Sequence, residues 1–78
     1  MMNLVRWTFA GRGKIRAYFD IFPASTVVLS KIKSYYFVQN VRWNESDPIV
    51  DREALVEMER IINREMETLD AYNERRNK

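Results

Sequence analysis

Residues 51–72 read DREALVEMERIINREMETLDAY, and the spacing of their apolar side chains decides how the rest of the chain is read. Leu55, Met58, Ile62, Met66, Leu69 and Tyr72 recur at steps of three and four. Such steps set one apolar stripe along one side of an α-helix. Val56 and Ile61 widen the stripe, while Arg52, Glu53, Glu57, Arg60, Arg64, Glu67 and Glu74 take much of the remaining surface. Asp51 can act as N-cap, its carboxylate accepting from a backbone N–H of the first turn. Val50 and Leu55 stand at the two positions of a hydrophobic staple. A coiled-coil seam is a poor alternative, because the repeat is short and Glu65 falls near it. The stripe therefore needs a surface to cover, and the aromatic-rich residues before it are the candidate.

Those residues read as strands. From Asn3 to Ala10, Val5, Trp7 and Phe9 alternate with Leu4, Arg6 and Thr8; from Lys14 to Phe22, Ile15, Ala17, Phe19 and Ile21 alternate with Arg16, Tyr18, Asp20 and Phe22. A period of two marks half-buried strands. A two-residue turn at Gly11-Arg12 would pair Phe9 with Lys14 and mix the faces. A three-residue turn over 11–13 pairs Phe9 with Ile15, Trp7 with Ala17 and Val5 with Phe19, and gives Gly13 the left-handed position. It also sets Arg6 across from Tyr18, close enough for a cation–π pair. Pro23 is expected to end the second strand. Residues 24–33 fit either a short helix capped by Ser25 or Thr26 or, from the β-branched run Thr26-Val27-Val28, a strand. The strand is preferred. Tyr35, Phe37, Val41 and Trp43 alternate with Tyr36, Val38, Asn40 and Arg42 in a further strand, residues 44–50 form a polar connector, and the tail from Asn73 to Lys78 is expected to fray. The expected fold is α+β: an antiparallel sheet of three to four strands opened by a hairpin over 3–22, with one helix over about 51–72 on one face.

Seventy-eight residues make a single domain. Cys and His are both absent, which removes zinc fingers, thiol chemistry and His-based acid–base catalysis, and no EF-hand spacing occurs. No cofactor or metal is expected. There is neither a signal-peptide pattern nor an apolar run of membrane-spanning length, so a cytoplasmic protein without a membrane partner is the expectation. The net charge of +2 conceals a division. Residues 1–43 carry seven Lys and Arg against Asp20 alone, +6, whereas residues 44–78 carry six basic against ten acidic side chains, −4. Either the two halves attract each other at their margins, or the basic half faces an anionic partner.

Catalysis finds little support. The helix carboxylates are interspersed with Arg, as on a solvated surface, and the Ser and Thr side chains have no candidate base. Gly11-Arg12-Gly13-Lys14 is too short for a phosphate loop and leads into a strand rather than a helix. If the helix covers Val5, Trp7, Phe9, Ile15, Phe19, Ile21, Phe37, Val41 and Trp43, the other sheet face presents Arg6, Arg16, Tyr18, Tyr36, Asn40 and Arg42. With Arg12 and Lys14 of the turn, the candidate partner-binding residues are Arg6, Arg12, Lys14, Arg16, Tyr18, Tyr36 and Arg42. Arginine forks and aromatic rings together suit recognition. The same composition also occurs on ordinary solvated sheets. The first functional expectation is a small non-enzymatic protein-binding module, an inhibitor or adaptor of a larger complex such as phage accessory proteins supply. The second is a nucleic-acid-binding protein using the basic hairpin and the Arg/Tyr face. The third is a structural homodimer.

Overall fold

A computed structural model describes residues 1–76. Four strands, β1 (Leu4–Phe9), β2 (Lys14–Phe19), β3 (Phe22–Ile32) and β4 (Tyr35–Arg42), precede two helices, α1 (Arg52–Glu65) and α2 (Leu69–Arg76). The strands form one antiparallel meander in the order β1-β2-β3-β4, so the class is α+β. Residues 24–32 lie in β3, the β-branched run having decided for a strand. Pro23 lies inside β3 instead of ending β2, which stops at Phe19 before a tight turn at Asp20-Ile21. The proline costs no ladder bond, because it falls where neither neighbour pairs: β2 pairing skips from Val27 to Phe22, and β4 pairing begins only at Thr26.

The first hairpin has the expected register, with Phe9 opposite Ile15, Trp7 opposite Ala17, Thr8 opposite Arg16 and Arg6 opposite Tyr18. Gly13 takes the left-handed φ of 67° that the three-residue turn requires. At the far end Leu4, not Val5, pairs with Phe19, because one extra residue is inserted between Leu4 and Arg6. Val5 is left 63% exposed.

Similar irregularities change further face assignments. In β4, Val28 pairs with Asn40 but Leu29 with Val38, so Gln39 is an extra residue and the alternation reverses across it. Tyr36 and Val38 therefore share the helix-covered face with Val41, while Phe37 lies opposite. At the Asp20-Ile21 turn Phe19 pairs directly with Phe22, so Phe22 is buried and Ile21 exposed. Trp43 follows the end of β4 and is 47% exposed, and Phe9 is 75% exposed on the bare edge strand. The core consists of Ile15, Ala17, Phe19, Phe22, Val27 and Leu29 beneath Met58 and Ile62 of α1.

The single expected helix is two. Asp51 caps α1 as anticipated, its Oδ1 accepting from the Ala54 N–H at 2.8 Å. The helix ends at Met66 in a Schellman arrangement: the Thr68 N–H donates to Asn63 O and the Glu67 N–H to Arg64 O. Glu67 holds a φ of 60°, and this left-handed residue breaks the continuous stripe. Helix α2 then restarts and runs to Arg76, so residues 73–76 are helical and not frayed; residues 77–78 lie outside the described part.

Candidate binding face

Helix α1 packs on one face of the sheet and leaves the other open. Period-two alternation places Lys14, Arg16 and Tyr18 of β2 there, beside Arg6 and Thr8 of β1. β3 and β4 add Thr26, Val28, Ser30, Phe37, Asn40 and Arg42. Cross-strand rows follow from the register. Thr8, Arg16, Val28 and Asn40 make one, Lys14, Ser30 and Phe37 a second, and Arg6 with Tyr18 begins a third. Arg6, Lys14, Arg16 and Arg42 are exposed and Tyr18 is half-buried. The Arg6 guanidinium lies 4.1 Å from the Tyr18 ring centre, the cation–π pair expected from the register. Ser30 Oγ donates to Gln39 Oε1, so the bulge residue is tied back onto this face.

None of the four strands contains an Asp or Glu. Among the described residues the single salt bridge is Arg60–Glu57, within α1. Among the described residues, the cations of the sheet are therefore not paired with carboxylates of the helices. Asp20, the one carboxylate of the basic half, turns to Asn3 at the sheet margin. It accepts from the Asn3 backbone N–H at 2.8 Å and from Nδ2 at 3.1 Å, which holds its carboxyl below the usual range.

Five of the seven expected site residues are thus brought together: Arg6, Lys14, Arg16, Tyr18 and Arg42. Arg12 is exposed at the hairpin tip, beyond the strands. Tyr36 does not belong. It is 9% exposed on the helix-covered side, and its backbone is engaged by Asn63. The inserted Gln39 caused the misplacement, since it reverses the face of every residue before it. Among the described residues, no group of three acidic, His or Cys side chains could hold a metal ion.

The polar residues that organise the opposite side were not anticipated. Asn63 is fully buried; its Oδ1 accepts from Tyr36 N–H and Nδ2 donates to Tyr36 O, each at 2.8 Å. Glu59 Oε2 accepts from Val38 N–H, and Oε1 from the Tyr72 hydroxyl, each at 2.8 Å. Asp47 in the connector takes Ala24 N–H at 3.0 Å and Ser25 Oγ at 2.6 Å. The available signal was the pair Glu59 and Asn63, one helical turn apart beside the apolar stripe. A second surface feature is apolar: Val41, Trp43, Ile49, Val50 and Leu55 line a notch of about 460 Å³ where the connector meets α1. Trp43 Nε1 donates to Pro48 O at 2.8 Å, and Ile49 is 80% exposed.

The model of the family described as uncharacterised protein YuzH matches residues 3–77, and the chain belongs to that family. No curated protein and no solved structure matches it.

Proposed function

We propose that the protein is a non-enzymatic binding module that holds a single-stranded nucleic acid across its open sheet face. The observation that carries this reading is the sorting of charge: Arg6, Lys14, Arg16 and Arg42 share a face whose strands contain no carboxylate. A face of one sign attracts a regular polyanion and repels nothing in it. Lys14 and Arg16 lie two residues apart on β2, roughly 6.7 Å along the strand, so successive phosphates can be met in file. Tyr18, already flanked by Arg6, supplies a ring on which a base stacks, and Phe37 a second apolar surface. Arg12 at the tip extends the charged track past the sheet. The loss of Tyr36 from this face removes an aromatic ring but no charge, which favours a phosphate backbone over a protein hot spot.

The test is fluorescence anisotropy with labelled oligo-dT and oligo-rU across a salt series. Four phosphate contacts predict a slope of log K against log salt near about −3. Tyr18→Ala should weaken binding by roughly 5- to 150-fold through lost stacking. Absence of saturable binding at low salt, or a slope near zero, would sink the reading.

One observation favours a second reading, a protein-binding module in the manner of an inhibitor or adaptor. The notch beside Trp43 and Ile49 is apolar and lies on the side away from the cations. An aromatic anchor next to a small concavity is a common hot spot. Ile49→Asp would abolish capture of a protein partner and leave oligonucleotide affinity unchanged.

A further inference from the structure

The two edges of the sheet are treated differently. Along β4, α1 lays Asn63 and Glu59 against the outward backbone groups of Tyr36 and Val38, all bonded at 2.8 Å. No further strand can add along that stretch of β4. The other edge, β1, has no such cover. Because the Ala10 N–H donates inward to Lys14 O at 2.9 Å, antiparallel alternation turns the N–H and C=O of Trp7 and Phe9 away from β2. The same edge displays Phe9 and Val5, 75% and 63% exposed. No proline or acidic residue interrupts the strand between them. Bare edges of this kind are templates for another strand unless they are blocked.

We infer that two copies of this chain join along β1, antiparallel and with Trp7 on the dyad, into one eight-stranded sheet. The register is chosen by the side chains. With Trp7 opposite its symmetry mate, Val5 of each copy lies against Phe9 of the other, so the exposed apolar residues of the edge cover each other. Arg6 falls opposite Thr8, not opposite a second arginine, which avoids like charges face to face. An isologous contact counts each of these residues twice. With the main-chain strips included it comes to roughly 1,000 Å² in all, the low end for a specific interface. The dimer is therefore weak and dependent on concentration. The extra residue, Val5, bends the strand where it starts, so the pairing runs from Val5 to Phe9 and stops there. The inference stands apart from nucleic-acid binding, although the joined sheet would present both cationic faces side by side.

Sedimentation equilibrium between about 10 µM and 1 mM, the range that a contact of this size implies, reads the mass directly. The expected result is a monomer–dimer equilibrium for the natural chain and a monomer throughout for Phe9→Pro. Proline removes an N–H that the monomer does not use, so the circular dichroism spectrum should be unchanged. Register is read by oxidation, since the chain has no Cys. The double variant Val5→Cys/Phe9→Cys should give a covalent dimer, because directly opposed residues lie within disulfide reach, and each single variant should not. A natural chain that stays monomeric at the highest concentration overturns the inference, as does a dimer that survives Phe9→Pro. If Phe9→Pro does not fold, the cysteine pair decides: no covalent dimer means no β1 contact.

Discussion

Glu67 shows how one residue can end an element against the pattern of its neighbours. The left-handed region costs an L-residue with a Cβ roughly 1–2 kcal/mol, and glycine occupies it freely. Glu67 nevertheless sits there at φ 60°, held by the paired bonds from Glu67 and Thr68 to Arg64 and Asn63. Glu67→Gly is therefore expected to raise stability by about 0.5–1 kcal/mol, part of the gain being returned to the more flexible unfolded chain. A later urea midpoint checks it; an earlier one would mean that the carboxylate has a role the turn does not reveal. Nothing in a run with correct helical spacing announced this break, because the usual glycine signal is missing. Tyr72 gives a second residue-level prediction. Burial first, then its hydrogen bond to Glu59, pushes the phenol from 10.0 up to about 12. Below pH 10 both folded and unfolded chains keep this proton, and the contribution is fully present. Between 10 and 12 the unfolded chain releases it while the folded chain does not, so stability falls by about 2 kcal/mol. Denaturation followed from pH 9.5 to 12 should show that decline, and Tyr72→Phe should flatten it.

Elements were legible to the extent that their period ran unbroken. The first hairpin was read with its register because alternation on both sides and a glycine in the turn agreed on one answer. β4 was recognised as a strand, and its last residues, Asn40 to Arg42, were given their true faces. The residues before Gln39 were assigned wrongly, because a single extra residue is invisible to a period of two. That residue is also what lets α1 close the sheet edge: it brings Tyr36 and Val38 to the face where Asn63 and Glu59 wait. Deleting Gln39 should turn Tyr36 and Val38, or else Val41, to the wrong side and cost about 3 kcal/mol or more. Calorimetry would check this, and a fold of unchanged stability would refute the account of the bulge. Asn63→Ala asks a narrower question of the same junction. It leaves the N–H and C=O of Tyr36 buried without partners, at about 1–3 kcal/mol each. The loss should exceed that of an ordinary helix-surface substitution severalfold. Asn63 and Glu59 were passed over because polar residues beside an apolar stripe more often face water than a strand edge.

At the scale of the whole molecule, the fold gathers four cations of the basic half, Arg6, Lys14, Arg16 and Arg42, onto one face of the sheet. Helix α1 covers the other face, where Lys31 lies beside Tyr36, and no described ion pair joins the halves. Four like charges on one open face repel one another slightly, so the arrangement does not serve the stability of the free protein. Residues kept at a small cost to stability are the ones expected to serve binding. Arg16 is the sharpest case, exposed at the centre of the face between Thr8 and Val28. Arg16→Glu should leave the unfolding free energy within about 0.5 kcal/mol of the natural chain or raise it, since a like-charge neighbour becomes an opposite one. The same substitution should lower oligonucleotide affinity more than tenfold and make the salt slope shallower by at least about 0.7, one phosphate contact on a single strand. Thermal melts and anisotropy titrations on the same sample separate the two effects. If affinity and stability fall together, Arg16 is part of the scaffold and the open face is only solvated. If affinity alone falls, the face was shaped for a partner.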